Sequence, residues 1–215
     1  MKKRLMDMYS RLFSFFGPQN WWPAETPFEV MIGAILTQNT NWKNVEKAIE
    51  NLKKEGLLSV SELHSIREQE LASLIRPAGY YRMKAKRLKN FISHIVEDHG
   101  GNLENLFSLD TESLRKELLS IKGIGPETAD SILLYAAKRP VFVVDSYTYR
   151  ILKRHNIIWD DIPYDELQRI FMENLPHDES LFNEFHALIV ETGKHFCKKR
   201  PLCKACPLNG WPEDE

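Results

Sequence analysis

Two glycines one residue apart, in Lys122-Gly123-Ile124-Gly125-Pro126-Glu127-Thr128-Ala129, constrain this chain more than any other feature, because they break two helical patterns with a very short turn. Leu114, Leu118 and Leu119 share one face of a helix before it. Ala129, Ile132, Leu133 and Ala136 recur at i, i+3, i+4 and i+7 after it, so a second helix begins at Pro126, a residue suited to a first helical position. The spacing predicts a helix-hairpin-helix over about 112–137. Gly123 and Gly125 can take positive φ and carry no Cβ, so backbone N–H groups can approach a phosphate oxygen at the positive end of the following helix. The expected partner is a nucleic-acid backbone. Gly-x-Gly alone would read as a helical hairpin with a glycine cap, and the residues on its C-terminal side decide the matter.

Downstream, Val141-Phe142-Val143-Val144 runs into Asp145 and then Ser146-Tyr147-Thr148-Tyr149-Arg150-Ile151-Leu152. This assembly resembles the hairpin, Gly/Pro-rich loop and aspartate of the endonuclease III superfamily of DNA glycosylases. The resemblance extends over most of the chain, through Ile35-Leu36-Thr37-Gln38-Asn39-Thr40, Gly79-Tyr80-Tyr81-Arg82-Met83-Lys84-Ala85 and a C-terminal cysteine cluster. It implies an all-α, two-lobed, endonuclease III-like fold. Residues 20–139 would form a six-helix barrel, residues 1–19 with 140–215 a second lobe, and the hairpin and Asp145 would face the cleft between them.

The residues themselves agree with a helical protein. Helical periods dominate (Val45, Ala48, Ile49, Leu52; Leu88, Phe91, Ile92, Ile95, Val96; Leu167, Ile170, Phe171; Phe185, Leu188, Ile189), and Phe28 to Leu36 is apolar nearly all round, as befits a helix enclosed by others. Only residues 141–144 look β-like, too few for a sheet. With 215 residues, 43% of them hydrophobic, a full core is available. No apolar run reaches the roughly 18 residues of a membrane span and no leader pattern is evident, so the expectation is a cytoplasmic, monomeric protein without a membrane partner. A net charge of −1 lends nothing to DNA binding. The distribution does: Arg76, Arg82, Lys84, Lys86, Arg87 and Lys89 form one basic cluster and Lys194, Lys198, Lys199 and Arg200 another, while Glu213, Asp214 and Glu215 put acid at the tail.

Cleaving a base from deoxyribose develops positive charge on the sugar, which a nearby carboxylate stabilises. The resemblance puts the superfamily's essential aspartate at Asp145. An aspartate before a helix is also an N-cap, and the two roles are compatible. Bifunctional members carry a lysine at the place of Glu127, which attacks C1′ and forms a Schiff base. Glutamate cannot form that imine, so the expectation is water as nucleophile and no lysine-dependent lyase step. Glu127 is a catalytic candidate beside Asp145, and a first-turn acid favourable to the helix dipole is the alternative account of it.

The branch this chain reads most like is the 3-methyladenine DNA glycosylase III type, by Trp21-Trp22-Pro23, Leu36-Thr37-Gln38-Asn39-Thr40, Gly123-Ile124-Gly125 and Val143-Val144-Asp145. Alkylated purines are cationic with a weakened glycosidic bond, so stacking and cation–π attraction from Trp21, Trp22 and Trp42 could hold them. Adjacent tryptophans on a helix would, however, point in different directions. By the same resemblance Gln38 fills the gap left by a flipped nucleotide, and Tyr81 and Lys84 contact DNA along with Gly123, Ile124, Gly125 and Thr128.

Cys197, Cys203 and Cys206 read as Cys-x5-Cys-x2-Cys. The endonuclease III pattern for a [4Fe–4S] cluster, Cys-x6-Cys-x2-Cys-x5-Cys, has one more residue in the first gap and a fourth cysteine, where this chain has Trp211-Pro212. The alternatives are a cluster with another fourth ligand, a zinc completed by His195, or free thiols and no cofactor.

These features lead to a monofunctional base-excision repair glycosylase acting on double-stranded DNA that carries a damaged base, an alkylated purine such as 3-methyladenine. A mismatch-type adenine, thymine or uracil glycosylase of the same fold, or an inactive DNA-binding module, are the alternatives.

Overall fold

A computed structural model describes residues 1–212; the acidic tail Glu213, Asp214 and Glu215 lies outside the described residues. Twelve α-helices occur among them: α1 (Lys2–Phe16), α2 (Pro27–Leu36), α3 (Trp42–Lys54), α4 (Val60–Ser65), α5 (Glu68–Leu74), α6 (Tyr81–His99), α7 (Leu103–Phe107), α8 (Thr111–Ser120), α9 (Pro126–Ser131), α10 (Ser146–Arg154), α11 (Tyr164–Met172) and α12 (Glu179–His195). No strand forms among the described residues, so the fold is all-α. The chain divides into two compact units, Ala24–Lys138 and Met1–Pro23 with the segment from Arg139 onward. The division falls after Pro23, so Trp21 and Trp22 belong with α1 rather than with the unit that sequence reading put them in.

In the contiguous unit, α2 is buried from Phe28 to Leu36. Thr26 caps it by accepting a hydrogen bond from Glu29 N at 3.1 Å, and Pro27 occupies the first turn, where no N–H is needed. Glu29, buried on this helix, pairs with Lys53 of α3 at 2.9 Å. Lys84 turns inward from α6 and donates to Leu36 O at 2.8 Å and Ala78 O at 2.7 Å, closing the end of α2 where carbonyls have no partner within the helix. Lys89 does the same for α4, donating to Leu63 O, His64 O and Ile66 O. Two lysines of the basic cluster are thus helix caps, and burial pushes both ammonium groups down, Lys84 to about 8.

The other unit is built around aromatics. Phe142 stacks on Phe171 of α11 with centroids 3.9 Å apart, and Phe182 and Phe185 of α12 meet its edge at 5.3 and 5.8 Å. Each such ring contributes ~1.5–3 kcal/mol by leaving water. Tyr9 brings α1 onto Phe185 at 5.3 Å. The run Val141–Val144 is buried without joining a sheet. Its polar backbone finds other partners, Gln168 donating to Phe142 O at 2.7 Å and Phe142 N donating to Met172 Sδ at 3.3 Å. This buried apolar tether delivers Asp145 to the start of α10.

Candidate functional site

The hairpin lies between α8 and α9. Gly123 sits at φ +104°, and a Cβ there would stand 2.4 Å from Arg87 Cγ, so both conformation and space exclude a side chain. Gly125 does not take positive φ as expected. It is extended at φ −100° and caps α9, with open space where its Cβ would be. After Ser131 the helix widens into a π-helical stretch, Ile132–Ala136, in which Ala137 N donates to Ile132 O at 3.0 Å, so the second helix is not the uniform one that periodicity predicts. Arg115 of α8 forks onto buried Asp130 of α9 at 2.7 and 3.1 Å, a two-point clasp that sequence reading missed.

Gln38 braces the turn. Its Nε2 donates to Gly123 O at 3.1 Å and Thr128 Oγ1 at 2.9 Å, and Arg87 Nη1 donates to its Oε1. Thr128 is buried with its hydroxyl turned to Gln38, and Ile124 is buried too, so both are internal supports of the turn. Asn90 Nδ2 adds a bond to Lys122 O at 3.0 Å. Of the remaining expected DNA contacts, Tyr81 is half-buried at the first residue of α6 with Arg76 and Arg82 about its ring, whereas the Lys84 ammonium is sealed against two carbonyls and unavailable to a phosphate. Glu127 is exposed in the first turn of α9, where a negative charge suits the helix dipole.

Asp145 is the N-cap of α10 in a full capping box. Its Oδ1 accepts from Thr148 N at 2.8 Å and Thr148 Oγ1 at 2.9 Å, while Asp145 N donates back to Thr148 Oγ1 at 3.3 Å. The cap uses Oδ1. Oδ2 faces His186 Nε2 of α12 at 3.8 Å, both side chains almost wholly buried. Burial alone would push this carboxyl up; His186 and the Thr148 donors outweigh it and hold it below the usual carboxylate range. Sequence reading missed His186, since a histidine in an apolar helix carries no local signal of what it faces.

Trp21 and Trp22 lie in the loop after α1, not on a helix, with centroids 5.5 Å apart and planes at 60°. Gln19 N donates to Glu184 Oε1 at 2.8 Å, and Lys194 Nζ stands 5.1 Å from the Trp21 centroid, so α12 fixes this loop. Trp42 opens α3 in the contiguous unit, its Nε1 bonded to Glu46 Oε1 at 2.7 Å.

The three cysteines line one cavity of about 180 Å³ together with Arg154, His155 and Trp211. Arg154 Nη1 lies 3.1 Å from Cys197 Sγ, and burial, reinforced by the neighbouring Cys197 and Cys203, pushes the Cys206 thiol up. At the place expected for a fourth cysteine, Trp211 is buried, donating from Nε1 to Arg4 O at 3.2 Å. His195 bonds Glu191 at 3.1 Å and does not line the cavity, so it does not complete a zinc set. Three thiolates do not fit a four-thiolate cluster.

Comparison with known proteins agrees with this geometry. Residues 32–177 match the family described as "HhH-GPD superfamily base excision DNA repair protein". The chain is 53% identical over 214 residues to a Methanocaldococcus jannaschii protein named "Putative DNA repair glycosylase MJ1434", covering 97% of both. It is 33% identical to endonuclease III of Thermotoga maritima, over 85% of this chain and 80% of that one. It is similar to the crystal structure of H. pylori 3-methyladenine DNA glycosylase (MagIII) bound to 1,N6-ethenoadenine, at 35% identity and a TM-score of 0.78, covering 88% of this chain and 97% of the other. With its endonuclease III-like fold, its hairpin and its capped aspartate, the chain belongs to the HhH-GPD superfamily of base excision DNA repair proteins, as a DNA repair glycosylase.

Proposed function

We propose that this glycosylase is monofunctional and hydrolyses the N-glycosidic bond of a flipped, alkylated purine such as 3-methyladenine. The observation that carries the chemistry is the buried, ionised Asp145 carboxylate, with one oxygen committed to the α10 cap and the other facing His186. Such a carboxylate stabilises the positive charge that grows on the sugar as the base departs, and it can orient the attacking water. Glu127 offers no amine, so no imine forms there and the strand stays intact after base loss. The alkylated-purine reading draws on the likeness to the MagIII structure and on the paired indoles Trp21 and Trp22, whose faces suit a cationic base. The hairpin backbone and Tyr81 take the DNA backbone, and Gln38, released from its bonds to Gly123 and Thr128, fills the emptied stack.

The test is base release from duplexes carrying 3-methyladenine, uracil or thymine opposite guanine, oxidised pyrimidines, or adenine opposite 8-oxoguanine, with and without alkali and with borohydride trapping. Release of 3-methyladenine, strand breaks only after alkali and no trapped adduct are expected. Release of a different base replaces the substrate, a trapped adduct overturns the monofunctional assignment, and no release from any duplex favours a binding module.

A further inference from the structure

Away from the hairpin turn, three ligating side chains converge between α6 and α8. His94 Nε2 lies 2.8 Å from Glu117 Oε1, His99 Nε2 contacts the same oxygen, and the three ligand atoms fall within 4.8 Å of one another. All are partly buried, their side chains 19%, 10% and 23% exposed. Behind His94 stands a fourth group, Asp98, whose Oδ2 is 2.8 Å from His94 Nδ1. His94 Nε2 is hydrogen-bonded to Glu117 as it stands; with an ion in place of that proton, the carboxylate on the far nitrogen would keep a proton at Nδ1 and leave Nε2 as the lone pair, the arrangement that orients metal-bound histidines. Two imidazoles and a carboxylate are a borderline donor set, suited to Zn²⁺ or Co²⁺ with water completing the shell and unsuited to Mg²⁺ or Ca²⁺.

We propose that His94, His99 and Glu117 form a transition-metal site, occupied by Zn²⁺, with Asp98 as its outer support. Its place in the fold gives it a structural role. Arg87 and Asn90, on the same helix as the two histidines, already reach Gln38 and Lys122 O, so α6 is the spine on which the hairpin rests. An ion at Glu117 would pin α8, the first hairpin helix, to that spine.

The test uses the full chain stripped by chelator, with Cys203→Ser/Cys206→Ser as background so that buried Cys197 is the one thiol left and the cysteine set is dismantled. Saturable binding of Zn²⁺, a rise in Tm with Zn²⁺ but not Mg²⁺, and Co²⁺ d–d absorption without thiolate charge-transfer bands are expected. Asp98→Asn, an exposed change that leaves all three ligands in place, should weaken affinity by ~10–100-fold, and Glu117→Gln should weaken it further. Absence of saturable binding, or affinity unchanged in both variants, overturns the proposal.

Discussion

At the scale of the residue, Asp145 serves two demands with two oxygens. Asparagine caps a helix about as well as aspartate, so Asp145→Asn should keep the fold and lower Tm only by the ionic contribution that the carboxylate makes, while base release falls by ~10²–10³-fold or more, a separation that thermal melts and single-turnover assays would read. Because the Asp145 carboxyl is held low, its stabilising contribution is present above the ordinary carboxylate range and is lost only as pH falls through its depressed value. His186→Leu removes the main partner holding it down. The acid limb of the kcat/KM profile should then move to higher pH, and a limb that stays in place would show that His186 does not set it. Lys84 is lowered too, but by burial, which disfavours its charged form. Its ammonium loses its proton near 8 in the fold but near 10.5 when unfolded, so between those values the unfolded chain binds more protons and this lysine makes stability rise with pH. Replacing it by methionine should abolish that rise in denaturant titrations and, by orphaning Leu36 O and Ala78 O, cost ~1–3 kcal/mol, with no loss of DNA affinity beyond that due to unfolding.

At the scale of the element, the hairpin is a turn held by side chains from elsewhere in the sequence. Gly123→Ala would drive a methyl against the Arg87 side chain at a positive φ, and the turn would have to shift. DNA binding should weaken several-fold in a fluorescence titration while Gly125→Ala, which meets open space, has a smaller effect. This contrast bounds what sequence could supply. Helix positions followed from apolar spacing and the short Gly-x-Gly turn, because periodicity and turn chemistry are local properties. The differing geometry of the two glycines, the Arg115–Asp130 clasp and the inward turn of Lys84 depend on partners brought together by folding. A lysine that reaches a phosphate and one that caps a neighbouring helix look the same in a sequence. The capping role of Asp145 was legible because a cap is local, whereas its catalytic assignment came from the resemblance; His186 was not legible, since 41 positions separate it from the carboxylate that it faces.

At the scale of the whole molecule, α1 belongs with the C-terminal helices. Tyr9 packs on Phe185, Arg4 O receives the Trp211 indole, and Gln19 is tied to Glu184. Removing residues 1–16 should therefore expose the aromatic core of that unit and broaden its melting transition, while amide exchange in Ala24–Lys138 is much less affected. The same topology orders events on the ribosome. Once Lys138 has left the exit tunnel, every residue of the contiguous unit exists and it can close on itself, whereas α1, made earlier, lacks its α12 partner until that helix emerges. Through that interval the buried face of α1, Leu5, Met8 and Leu12, is an orphan strip of leucine and methionine, and shielding it is a task for whatever meets the nascent chain.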